Sequence, residues 1–356
     1  MTTSAHLPGR LGNPDLTLGD DPRTDPRVGA VFAALGLDGS GGPPPVDAAS
    51  PYDQQLAFWD AAETGYQMLF GALYPERAPA AGVVTSTETI TGVDGNEIAL
   101  RVHRPAAGTA PVPGILHLHG GGMTILATTD ANYAGWRDDL AAAGVVVVGV
   151  EFRNAAGSLG PHPFPAGLHD CASALQWMHD HRADLGVSKL VVSGDSGGAN
   201  LALATVLLAK RDGRLGQIDG VYAQCPYISG RYTAPPPELP SLAENDRYFL
   251  DCRLMGAMAA VYDPSGRHAS DPLAWPYHAE VGDLAGLPPH VISVNELDPL
   301  RDEGLAYFRK LMAAGVSATS RTVNGTCHAA DVILRNQIRD VWDASLRDLV
   351  GFACSL

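Results

Sequence analysis

The sequence predicts an α/β protein with a mostly parallel central sheet flanked by helices and carrying a helical cap. Three observations predict it. From about residue 82 onward, short β-branched apolar runs take turns with helix-like stretches, the texture of a parallel sheet wrapped by helices. An antiparallel hairpin precedes that alternation. Two amphipathic helices stand ahead of the first strand, and each needs an apolar surface to cover.

The elements follow in chain order. The first fifty residues are rich in Pro, Gly and Asp and read as surface-running chain. Within them Asp25-Pro26 forms an N-cap followed by a first-turn proline, and Val28, Val31, Phe32 and Leu35 then share one helical stripe. A second helix follows Ser50-Pro51. Leu56, Trp59, Tyr66, Leu69, Phe70 and Leu73 share its apolar side, and Pro75 ends it. Residues 83–92 and 96–104 alternate around the turn Val93-Asp94-Gly95-Asn96. Val112–Leu118, Val145–Phe152, Lys189–Ser193, Ile218–Ala223, His290–Val294 and Val316–Val323 read as strands. Leu168–Ala183, Asn200–Lys210 and Arg301–Ala314 read as helices, and Asp331–Phe352 as a terminal helical region. The chain therefore divides into residues 1–80, N-terminal cap helices and surface segment, and residues 81–356, the α/β domain. Residues 229–277, proline-rich and poorly periodic apart from the helix-like Asp246–Val261, form an insertion that contributes to the cap.

Composition narrows the function. The 356 residues carry a formal charge of −15 with no Lys/Arg-rich run, which disfavours nucleic acid and anionic membranes as partners and suits a small neutral substrate. Self-association is left open. The five cysteines are irregularly spaced without a C-x-x-C, so a reducing, cytoplasmic setting is expected rather than a disulfide framework. The start of the chain lacks the basic and apolar regions of a signal peptide. Its densest apolar stretches, Val145–Val150 and Leu201–Ala209, are too short to span a bilayer.

The chemistry centres on Gly194-Asp195-Ser196-Gly197-Gly198. An apolar strand leads into this G-x-S-x-G and a helix leads out. The sharp turn between them needs small flanking residues and lifts the Ser196 hydroxyl clear of the sheet. A serine hydroxyl needs a base to take its proton and an acid to hold that base, in the chain order Ser, Asp/Glu, His. Of the later histidines His268, His278, His290 and His328, His290 opens a strand, whereas His328 sits in a loop just after the last strand. His328 is the candidate base. Asp298, in the loop after His290–Val294, is the candidate acid, with Glu296 as its rival; Asp302 and Glu303 read as first-turn charges that suit the helix dipole. His119-Gly120-Gly121-Gly122 follows a core strand, and its successive glycines let amides converge on one point. Gly121, Gly122 and Gly197 are therefore candidate oxyanion donors, with Gly120 shaping the loop and His119 bracing it. Met123, Phe164, Tyr227 and Trp275, near strand-end loops, are candidate substrate-binding walls. His117-x-His119 is a weak metal motif without an H-E-x-x-H, so no metal and no organic cofactor are expected.

With these residues assembled, the sequence resembles the hormone-sensitive-lipase-like branch of the α/β-hydrolases. The His119–Gly122 loop, the Gly194–Gly198 elbow, Leu297-Asp298-Pro299-Leu300-Arg301-Asp302-Glu303-Gly304, and Pro163-Phe164-Pro165-Ala166 ahead of Asp170 all carry the likeness. It runs from about residue 112 to the C-terminus. The resemblance implies an eight-stranded core, a cap built partly from the N-terminus, and hydrolysis of esters including lactones. It also implies a Ser196–His328–Asp298 acyl-enzyme mechanism. Gly197 stands where alanine is commoner in that branch, Ala155–Gly160 lengthens the segment after Arg153, and Ala330 replaces a frequent aromatic. These departures bear on substrate size. The expectation is a serine carboxylesterase for neutral esters. Its rivals are an amidase or carbamate hydrolase using the same triad, and a non-catalytic small-molecule-binding homologue.

Overall fold

A computed structural model describes residues 7–74, 80–106 and 110–356. The expected alternation places eight strands in one sheet: β1 (Val83–Thr91), β2 (Glu97–Pro105), β3 (Val112–Leu118), β4 (Val146–Val150), β5 (Val187–Asp195), β6 (Gly220–Gln224), β7 (His290–Asn295) and β8 (Ala318–Val323). Their order across the sheet is β1-β2-β4-β3-β5-β6-β7-β8. β1 pairs antiparallel with β2, and β2 antiparallel with β4; from β4 to β8 every pairing is parallel. Every residue of β4, β6 and β7 is buried, as continuous apolar strands covered on both faces require.

The longer helices are α1 (Pro26–Ala34), α2 (Tyr52–Leu73), α3 (Ala131–Ala142), α4 (Ala166–Asp180), α5 (Gly197–Arg211), α6 (Cys252–Tyr262), α7 (Arg301–Ala313) and α8 (Arg339–Ser355). α3 and α8 pack together against the sheet, and so do α4 and α5. At α1 the Asp25 side chain accepts the Arg27 N–H, and Pro26 occupies the first turn as expected. α2 lies on α3, on the turn at Gly157–Leu159 and on α6, burying Trp59 and Phe70. Pro75, expected to end α2, lies outside the described residues.

Several boundaries differ from expectation for visible reasons. α3 has no counterpart in the sequence reading, because its buried side includes Asn132 and Arg137 beside Tyr133, Trp136 and Leu140. That mixture breaks the apolar stripe by which a helix is read. α6 begins at Cys252 instead of Asp246, since the Asp251 carboxylate accepts the N–H groups of Arg253 and Leu254 and caps the helix there. The terminal region splits into one turn, Ala330–Ile333, and α8. α5 starts directly after Ser196, three residues earlier than expected. Among the described residues no helix is long and apolar enough to cross a membrane.

Candidate active site

The carboxyl ends of β3, β5, β7 and β8 converge at one rim of the sheet, where ligands of open α/β sheets bind. β5 delivers Ser196 in a left-handed conformation, φ 55° and ψ −118°, which a non-glycine residue holds at a cost of about 1–3 kcal/mol. The surroundings hold it there. The Ser196 N–H donates to the Gln224 carbonyl at 2.9 Å, and its carbonyl accepts from Asn200 at 3.1 Å and Tyr227 at 3.2 Å. The flanking glycines are obligatory: a Cβ on Gly194 would lie 2.4 Å from the Gly198 backbone, and one on Gly198 only 2.0 Å from the Leu118 carbonyl oxygen.

The three residues placed at the site by sequence reasoning meet here. His328 Nε2 lies 2.9 Å from Ser196 Oγ, and His328 Nδ1 lies 2.7 Å from Asp298 Oδ2. Asp298 is fully buried, and its other oxygen accepts the Leu300 N–H at 2.9 Å, so one carboxylate both shapes its own turn and orients the imidazole. Asn245 clamps that turn by donating to the carbonyls of Glu296 and Asp298. On the other side, Asn295 binds Asp331 and Thr326 and accepts the Ala329 N–H, fixing the His328 loop. The rival acid Glu296 instead accepts the Gly325 N–H at 2.9 Å. Glu303, read as a first-turn charge suiting the helix dipole, does lie in the first turn of α7; it is buried there, accepts from Ile228 and Tyr232, and has its carboxyl pushed up to about 8 by that burial. It serves as an internal strut.

The glycine loop after β3 folds over the elbow. Gly121 and Gly122 have φ of +99° and +63°, a region open to glycine, and the Gly121 carbonyl accepts from Thr124 and Ile125. A Cβ on Gly197 would lie 2.7 Å from the Gly122 nitrogen and 2.6 Å from that of Met123, so the loop amides and the start of α5 are in direct apposition. The first N–H groups of α5 have no intrahelical acceptor. His119 braces the loop through Nδ1 to the Gly120 carbonyl at 2.8 Å and stacks on Phe152 at 4.1 Å. Burial drives its imidazole down to about 3, so it stays neutral. His117 is likewise pushed well below the ordinary range by burial.

Ser196 and His328 face an apolar cavity of about 60 Å3. Tyr227 is the one proposed wall residue that lines it. Trp275 stands behind, packed edge-on to Tyr227 at 5.6 Å; Phe164 turns away onto Tyr262 and His268; Met123 is buried with its carbonyl bonded to the Ala155 N–H. The walls that sequence reasoning missed come from distant segments: Tyr66 and Phe70 of α2, Ile125 and Leu126 of the glycine loop, and Phe249, Leu250, Met255 and Met258 before and within α6. Glu63 of α2 was also missed. Its two buried carboxylate oxygens accept the N–H groups of Leu126 and Ser158, tying α2 to the glycine loop and to the lengthened 155–160 segment. Asp195 also borders the cavity, fully enclosed, and burial raises its carboxyl to about 7.

Comparison with known proteins identifies the fold and the family. A family model described as the alpha/beta hydrolase fold matches residues 115–331. Carboxylesterase NlhH of Mycobacterium tuberculosis is 37% identical over 237 residues, covering 65% of this chain and 70% of that one. The arylesterase of Saccharolobus solfataricus is 34% identical over 240 residues, covering 65% and 72%. Among solved structures, a bacterial brefeldin A esterase described as a homologue of human hormone-sensitive lipase superposes with a TM-score of 0.93 at 49% identity, covering 98% of both chains.

Proposed function

The chain belongs to the α/β-hydrolase-fold family, and from that premise we propose that it is a cytoplasmic serine carboxylesterase in which Ser196, His328 and Asp298 carry out two-step acyl transfer. Carboxylic ester hydrolysis is the chemistry it has in common with its relatives. The observation that carries the residue assignment is the continuous contact from Ser196 Oγ through the His328 ring to Asp298.

Ser196 Oγ attacks the ester carbonyl as His328 Nε2 accepts its proton. The Asp298 carboxylate holds the ring in the tautomer with Nδ1 protonated and stabilises the imidazolium that forms. The oxyanion is received by the N–H groups of Gly121, Gly122 and Gly197, which need no rearrangement at the moment charge develops. His328 returns its proton to the leaving alcohol, then takes one from the water that attacks the acyl-enzyme and passes it to Ser196 Oγ as the carboxylic acid leaves. The reading requires no metal or organic cofactor.

The described parts of residues 1–80, together with residues 229–277, act as the cap. The space they leave above Ser196, about 60 Å3, is far below the roughly 300–1,000 Å3 of pockets that enclose drug-sized ligands. That supports small neutral esters as substrates; a macrocyclic lactone needs the cap to open. Replacing Ser196 by Ala should abolish p-nitrophenyl butyrate hydrolysis, by roughly ten-thousand- to millionfold, with the circular-dichroism spectrum unchanged. Retained hydrolysis would refute the assignment, and equal turnover of a matched anilide would redirect it to an amidase.

A further inference from the structure

Cys225 follows β6 and has no part in the acyl-transfer scheme. Its Sγ, a carboxylate oxygen of Asp298 and a ring nitrogen of His328 all lie within 4.8 Å of one another, and all three residues are buried. Cys225 is held there by the backbone: its N–H donates to the Ser293 carbonyl at 2.7 Å, and its φ is 37°. The thiol therefore sits beside the Asp298–His328 pair by construction of the β6 and β7 ends.

We propose that Cys225, Asp298 and His328 form a binding site for a soft or borderline divalent cation such as Zn²⁺ or Cd²⁺, and that its occupancy reversibly silences the hydrolase. Sulfur and imidazole nitrogen select such metals over Mg²⁺ and Ca²⁺, which take oxygen donors. One thiolate, one carboxylate and one neutral imidazole balance a double positive charge, so the bound cluster is neutral, as a buried site requires. Three protein donors with a fourth position left for water make a common zinc arrangement, and donor atoms already within 4.8 Å of one another need only small side-chain shifts to reach metal–donor bonds of about 2.0–2.3 Å. Of the three donors, His328 lines the cavity beside Ser196.

The proton balance explains the silencing. A cysteine ligates as the thiolate, so binding forms a metal–sulfur bond and releases one proton. A metal on His328 Nε2 occupies the lone pair that must receive the serine proton. A metal on Nδ1 breaks the hydrogen bond to Asp298 and moves the ring proton to Nε2, with the same result. The loss of activity rests on the serine-hydrolase reading, whereas the binding does not.

The test uses the full chain, freed of metal with a chelator and titrated with ZnCl2 or CdCl2. Ester hydrolysis should fall and return on adding EDTA. Cys225→Ser and Cys225→Ala should each need at least about tenfold more metal, since losing even an outer partner of a metal ligand costs that much. Cys354→Ser, which removes the exposed thiol, should leave the metal response as it was. In parallel, Cd²⁺ should produce the ultraviolet charge-transfer band of a cadmium–thiolate bond in the parent protein and in Ser196→Ala, but not in Cys225→Ser. A band with no loss of ester hydrolysis would break the link to the triad; a metal response equal in the parent and both Cys225 variants, or no response in the parent, would overturn the site.

Discussion

The rim of the sheet and the segments proposed as its cap meet at the same cavity but are built on different principles. At the rim each functional group is held by directional backbone constraints. Ser196 sits at φ 55° between two glycines that admit no Cβ, and Asp298 divides its oxygens between its own turn and His328. The proposed cap contributes apolar side chains, Tyr66, Phe70, Phe249, Met255 and Met258, from segments nearly two hundred residues apart. Their contact is non-directional, and neighbours compensate for one another. The difference teaches that chemistry in this molecule is specified atom by atom, whereas the choice of substrate is specified by volume.

The sharpest way to break that contrast is at the acid. Asp298→Asn should lower kcat by about ten-thousandfold, because the amide favours the wrong imidazole tautomer. Glu296→Gln, whose carboxylate only accepts the Gly325 N–H, should leave kcat within about tenfold of the parent. Comparable losses in steady-state kinetics would mean that the rim is not specified residue by residue.

Legibility from sequence follows the same division. The elbow was readable because a strand, a G-x-S-x-G and a helix are contiguous, and His328 because few histidines follow Ser196. The glycine loop was readable because three consecutive glycines after a core strand have few other uses. The cavity walls were not. Met123, Phe164 and Trp275 read as walls near strand-end loops but do not line the cavity, whereas Phe249 and Met258 come from the helix-like Asp246–Val261, where no motif marks the side that does. Glu63 belongs to no motif, and its partners, the N–H groups of Leu126 and Ser158, are backbone groups that no sequence pattern marks. α3 was missed because buried Arg137, bonded to Thr128 and His103, interrupts its apolar stripe.

The cap half of the comparison is sharpened by Met258. A Cβ on Gly122 would lie 2.5 Å from Met258 Sδ, so this side chain presses on the glycine loop and limits the cavity. Met258→Ala should raise kcat/KM for a bulky acyl ester relative to p-nitrophenyl acetate by about tenfold, the scale set by a few methylenes in an apolar pocket. An unchanged ratio across an acyl-length series would show that volume at this position does not select the substrate.

The smallest effect concerns pH and Asp195. Its carboxyl titrates near 7 in the folded protein against an ordinary 3.8, because burial disfavours the anion. The folded state therefore binds the proton more tightly than the unfolded state does. The resulting stability is fully present below about 3.8 and is lost as pH rises through about 7. Denaturant midpoints of the parent should fall relative to those of Asp195→Asn as pH is raised from 4 to 8. Parallel profiles would show that this rim carboxyl carries no such burial penalty.

The central claim is that the fold activates one hydroxyl, Ser196 Oγ, through His328. A fluorophosphonate tests it most directly, with adduct mass and position read by mass spectrometry. One equivalent on the peptide containing Ser196, formed in step with loss of ester hydrolysis and suppressed in His328→Ala, is the predicted result. Labelling at another residue, or equal labelling without the imidazole, would contradict it.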